Sequence, residues 1–133
     1  MKENSETIKQ WIFKAEHDFK AINILLINSP ELTDIICMHC QQCAEKYIKA
    51  KFIALHRPFP FVHDLLKLLN TLNEFNDIDY DVFKWADDIE GFGISIRYPS
   101  INGEPTFLET KDIIESTKNL RNYFRNLLKE YTD

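Results

Sequence analysis

Large apolar residues recur at steps of three and four through most of this chain, which commits it to helices that bury one face each. Ile8, Trp11, Ile12, Ala15, Phe19, Ile22 and Leu26 gather on one side of a helical wheel between Ser5 and about Ile27. Ser29, Pro30 and Glu31 then read as a start signal: a hydroxyl for free N–H groups, a ring that needs no N–H, and a carboxylate near the positive helix end. A second helix is expected from there to about Leu55.

His56-Arg57-Pro58-Phe59-Pro60 interrupts the pattern, because each proline lacks a backbone donor and disfavours helical dihedrals at the residue before it. Beyond this loop, Leu65, Leu66, Leu68, Leu69, Leu72 and Phe75 predict a short third helix beginning near His63. Asp77 to Ile89 reads as a fourth, with Asp79 near its start and Gly91 and Gly93 closing it. Ile94 to Pro105 holds two turn signals, Tyr98-Pro99 and Asn102-Gly103, and is expected to be a loop. Thr106 with Glu109 forms a capping box, after which Ile113, Thr117, Leu120, Phe124, Leu127 and Tyr131 carry a fifth helix nearly to the terminus. The expected architecture is all-α: a five-helix antiparallel up-and-down bundle, formed by residues 1–133 as one domain.

Composition narrows the function classes. The 10 Phe, 5 Tyr and 2 Trp supply bulk for one core, and 3 Gly with 5 Pro are too few for a turn-dense β chain. Sixteen basic against 21 acidic residues leave a net charge of −5, so the whole molecule is not drawn to phosphate backbones. No apolar run approaches the length of a membrane span, and Met1 to Gln10 lack a signal-peptide core. A soluble cytoplasmic protein with reduced thiols is the expectation.

Cys37-x-x-Cys40-x-x-Cys43 resembles part of an iron–sulfur run, but on a helix the sulfurs spread over about 120° and ~9 Å of axis. They cannot converge on one ion, and there is no fourth cysteine. No metal and no cofactor is expected, and the thiols read as small core residues. Asp18, His39, His63 and Asp64 are the residue types of acid–base chemistry, although their spacing does not show that they meet. Arg57 and His63 fit R-x5-H formally, but two prolines intervene and chance explains the match better. Lys111, Lys118, Arg121, Arg125 and Lys129 form a basic stripe beside the apolar face of the last helix, extended by Lys46 and Lys49 if the second helix is adjacent. Such a stripe holds phosphates or an acidic partner, or is simply solvated. Arg97-Tyr98-Pro99 presents a guanidinium and an aromatic ring from a loop, suited to phosphate or carboxylate or to pinning the loop.

Trp11, Ala15, Asp18 and Ala21, the run from Ile36 through Gln41-Gln42-Cys43-Ala44-Glu45-Lys46 to Ala50, then Val62-His63-Asp64-Leu65 and Arg97-Tyr98-Pro99, together resemble the HEPN domain family over almost the whole chain. The resemblance implies an all-α bundle, commonly a homodimer, often encoded beside a minimal nucleotidyltransferase as a toxin–antitoxin module and related to nucleotide or RNA binding. Many members are metal-independent endoribonucleases with an R-x4-6-H motif. Here Arg97 is followed by Asn102, Gly103 and Glu104 at those positions, and Arg121 by Asn126 and Leu127. Binding is therefore expected ahead of catalysis, with Arg97, Tyr98, Lys46, Lys49, Arg121 and Arg125 as ligand-binding candidates. The alternatives are a ribonuclease toxin with a non-standard site, drawing on Arg97, His63 and His39, and a purely structural partner subunit.

Overall fold

The structure, a computed structural model, describes residues 2–91 and 103–132. Arg97, Tyr98 and Gly93 lie outside the described residues. Five helices follow in order: α1 (Lys2–Asn28), α2 (Thr33–Ala54), α3 (Leu65–Asn73), α4 (Tyr80–Glu90) and α5 (Phe107–Leu127), with a 3₁₀ turn at Lys129–Tyr131. No strand occurs among the described residues.

Helix α2 is central and packs on each of the other four. Its buried residues include Ile36, Cys37, Cys40, Cys43, Ala44, Tyr47, Ile48 and Phe52, so most of its circumference is covered. Onto it close Ile8, Ile12, Ala15 and Ile22 of α1, Leu65, Leu68, Leu69 and Leu72 of α3, and Leu120 and Phe124 of α5. The pairs α1–α2, α3–α4 and α4–α5 run antiparallel. The connection from His56 to Asp64 runs back along α2, bringing His63 beside Gln41 and Glu45 while Arg57 remains near the far end, over the Phe75 ring. As a result α3 descends alongside α2, in the same direction, and α5 does likewise: Cys37 meets Thr110 and Tyr47 meets Arg125.

Local chemistry sets the helix ends, with one shift from expectation. Ser29 does not start α2; its N–H continues α1 to the Leu25 carbonyl, and its own carbonyl accepts from Leu32, a turn with Pro30 at the second position where a fixed φ is favoured. Leu32 then precedes α2 without a side-chain cap. The Thr106–Glu109 capping box forms in both directions, at 3.1 and 2.9 Å. Asp64 caps α3 by accepting from the Lys67 N–H. Asp79 occupies the N-cap position of α4 without a side-chain cap bond, and Gly91 ends that helix in ordinary right-handed geometry. The end of α2 is a Schellman turn: Arg57 N–H reaches the Phe52 carbonyl, His56 N–H the Ile53 carbonyl, and His56 takes φ 56°, a left-handed conformation that usually favours glycine.

Candidate functional site

The polar residues of α2 lie in two neighbouring rows. Along the first, His39 and Lys46 are two turns apart and close on one carboxylate of α1, Asp18. His39 Nδ1 stands 2.8 Å from Asp18 Oδ1, and Lys46 Nζ 2.5 Å from Oδ2. Asp18 is only 8% exposed, a carboxylate that would be costly to bury unpaired. A carboxylate only accepts, so the His39 proton resides on Nδ1 and fixes the tautomer. No described residue bonds Nε2.

Along the second row, Gln41, Glu45 and Lys49 are spaced i, i+4, i+8. Glu45 is 5% exposed and accepts from Gln41 at 3.2 Å and Lys49 at 3.0 Å. His63, from the α2–α3 connection, places Nδ1 3.1 and 3.2 Å from the same carboxylate, and Gln41 holds the His63 carbonyl at 2.8 Å. Lys49 also lies 5.0 Å from the Phe59 ring centroid, so its charge is stabilised on both sides. Although Glu45 is buried, the His63 side chain is 68% exposed. Each of the two imidazoles, one beside each row, is therefore oriented through Nδ1 by a buried carboxylate.

A third polar cluster joins α1, α2 and α5. Arg121 grips Glu16 through two parallel bonds of 2.7 and 2.6 Å and lies 4.1 Å over the Phe19 ring. Tyr47 donates its hydroxyl proton to Glu16 and accepts from Arg125 at 3.1 Å. Burial alone would raise the Glu16 carboxyl, but the hydrogen bonds of Arg121 and Tyr47 and the nearby guanidinium charges bring it below the usual range. Burial, with the hydrogen bond to Glu16, pushes the Tyr47 hydroxyl well up.

At the start of α3, Glu90 from the end of α4 accepts the Leu65 N–H beside the Asp64 carboxyl. Burial and the neighbouring Asp64 and Asp87 charges push the Glu90 carboxyl up to about 7, against the backbone bond, which lowers it. The three cysteines are free and fully buried, burial raising Cys37 to about 11 and Cys40 to about 12, and Cys43 further still.

The structure thus distributes the sequence candidates among distinct roles. His39 and Lys46 meet on Asp18, His63 and Lys49 on Glu45, and both lysines are spent on these carboxylates. Arg121 and Arg125 are drawn from the basic stripe to Glu16, while Arg57 and His63 engage different partners. Glu16 and Glu90 were not singled out for these roles. The i, i+4, i+8 spacing of Gln41, Glu45 and Lys49 was the one sequence signal for a side-chain ladder.

The fold defines an α-helical bundle whose second helix carries two rows of buried polar groups. The sequence matches the HEPN domain family over residues 8–127, and the chain belongs to that family. It is similar in fold to the crystal structure of an archaeal HEPN homologue, with TM-score 0.70 and 21% identity, covering 90% of this chain and 96% of the other. No curated protein matches the sequence. Among the described residues, no helix is long and apolar enough to cross a membrane.

Proposed function

We propose that this HEPN chain is a dimeric module that binds a nucleotide or RNA and works beside a minimal nucleotidyltransferase in a toxin–antitoxin-like pair. Family membership supports the nucleotide-related role, and HEPN domains generally dimerise. The observation that carries the binding reading is the α2 flank, where His39 and His63 are held through Nδ1 by Asp18 and Glu45 and keep Nε2 for a ligand. A positioned imidazole loses little freedom when it bonds a phosphate oxygen or a base.

The same pair of imidazoles favours a second reading, a metal-independent ribonuclease without the R-x4-6-H histidine. An oriented imidazole takes the 2′-hydroxyl proton as the 2′-oxygen attacks phosphorus and hands it to the departing 5′-oxygen, leaving a cyclic phosphate and a 5′-hydroxyl. Incubation with a mixed RNA pool without metal, alongside Arg97→Ala, His39→Ala and His63→Ala, separates the two. Retention without cleavage supports the module, and cleavage lost in the histidine variants, with circular dichroism unchanged, supports the enzyme. Absence of both, with a stable complex on mixing with the nucleotidyltransferase, leaves the structural-subunit alternative.

A further inference from the structure

The last residue of α4 is a carboxylate at the unfavourable end of its own helix and the favourable end of another. The close of α4 is the negative end of its dipole, and that last turn holds no basic residue to offset it. Glu90 reaches instead to the first turn of α3, where its Oε1 accepts the Leu65 N–H. Asp64 is already there, its Oδ1 accepting the Lys67 N–H at 3.2 Å. Each carboxyl commits one oxygen to the same helix start, and the two side chains lie within hydrogen-bond reach of each other. Two carboxylates have no proton to place between their remaining oxygens, Oε2 and Oδ2; a carboxyl and a carboxylate have one.

Among the described residues, no lysine, arginine or histidine forms an ion pair with Asp64, Asp87 or Glu90. Asp87, one turn back on α4, adds a third negative charge. Helix α5 faces α4 with Glu109, Asp112 and Glu115, across the groove that Asp88 and Ser116 also line. From α2, Glu45 meets the connection through His63 and is paired with Lys49.

We infer that Asp64 and Glu90 hold one proton between them and act as a proton-operated clasp, which fastens the start of α3 to the end of α4 and loosens when the proton leaves. Burial, then the charges of Asp64 and Asp87, raise the Glu90 carboxyl to about 7 against the Leu65 bond, so the release falls near neutrality. With the ordinary value of 4.5 in the open form, linkage makes opening about tenfold more frequent at pH 8 than at pH 6. His63 directly precedes Asp64 and is held to α2 through Glu45 and through its carbonyl on Gln41. The clasp secures the same short connection from α4, so its release regulates the candidate site; this consequence, unlike the clasp, rests on the binding function proposed above.

Amide hydrogen exchange read by NMR between pH 6 and 8 tests the clasp, with protection factors correcting for the intrinsic rate. The reporters are Leu65 and Lys67, whose N–H groups the two carboxyls accept; the control is Glu109, capped by Thr106 at the start of α5. Protection of the reporters is expected to fall about tenfold from pH 6 to pH 8 while that of Glu109 holds. In Glu90→Gln the side-chain amide keeps an acceptor for Leu65 and donates to Asp64 at every pH, so the fall disappears. Protection that is flat in the wild type, or that falls equally in Glu90→Gln, overturns the clasp. RNA retention is measured on both proteins at the two pH values. Where the clasp acts on binding, retention falls more steeply with pH in the wild type than in Glu90→Gln. Equal slopes overturn the regulatory consequence and leave the clasp standing, whereas no retention by either protein overturns the binding module instead.

Discussion

Glu16 and Asp18 are two residues apart on α1 and face the same helix, yet they sit in opposite kinds of surroundings. Successive helical positions two apart point about 200° from each other, so the two carboxylates straddle α2. Glu16 is closed from two helices, by Arg121 and Arg125 of α5 and Tyr47 of α2. Asp18 receives one imidazole and one ammonium from α2 alone and orients a His39 ring whose Nε2 no described residue bonds. The first arrangement fastens α5 to the bundle; the second joins only α1 and α2. The partners of Glu16 consume each other, whereas His39 keeps a ring nitrogen that no described residue bonds.

The largest expected effect comes from breaking the closed side. Glu16→Ala leaves Arg121 and Tyr47 without their acceptor and should cost about 2–3 kcal/mol in urea denaturation, a value reduced from fully buried pairs because Glu16 is partly exposed. Because its folded value lies below 4.5, Glu16 contributes stability that is present above that pH and lost as pH falls through the folded value. The acid limb of a stability–pH curve should therefore shrink in Glu16→Ala.

Glu90 acts with the opposite sign. A carboxyl raised to about 7 contributes stability that is complete below 4.5 and lost as pH rises through 7. Glu90→Gln keeps an acceptor for the Leu65 N–H and removes the charge beside Asp64, so it should stabilise by about 1–2 kcal/mol at pH 8, after allowance for exposure, and by nothing at pH 4. Thermal melts at the two pH values test this, and equal shifts at both would contradict it. Wild-type stability should peak between these limbs.

Asp18→Asn should cost less, about 1 kcal/mol, because Asn retains an acceptor for His39 and Lys46 reaches solvent. If the contrast between the carboxylates is sound, this milder variant has the greater effect on RNA retention, and Glu16→Ala the greater effect on the urea midpoint. Lys118→Ala, in the basic stripe of α5, should change stability by less than about 0.5 kcal/mol and leave retention unaltered.

The helices were legible because each buries a stripe that repeats within its own segment, and the Thr106–Glu109 box was legible because both partners lie within four residues. Ser29-Pro30-Glu31 misled for a local reason: the residues that favour a helix start also favour a turn, and packing of α1 against α2 selected the turn. Contacts between helices were not legible. Asp18 and His39 are 21 positions apart, and no spacing rule connects residues on separate helices. Arg121 and Arg125 looked like a free stripe because the wheel of α5 contains no Glu16. The ladder from Gln41 through Glu45 to Lys49 went unread although its i, i+4, i+8 spacing lies within one helix, and His63 joins it from a connection whose path only the fold determines.

The three buried thiols turn α2 into its own opening gauge. Thiolate is the reactive form, and at Cys37, Cys40 and Cys43 it is suppressed by burial at every ordinary pH, with no surface path for an electrophile. Alkylation must wait for the helices around α2 to part, so in the fast-closing regime its rate counts how often the centre of the bundle opens. Three sulfurs one turn apart sample three depths of the same helix, and mass spectrometry of the labelled positions would show whether α2 is uncovered from one end or released all at once.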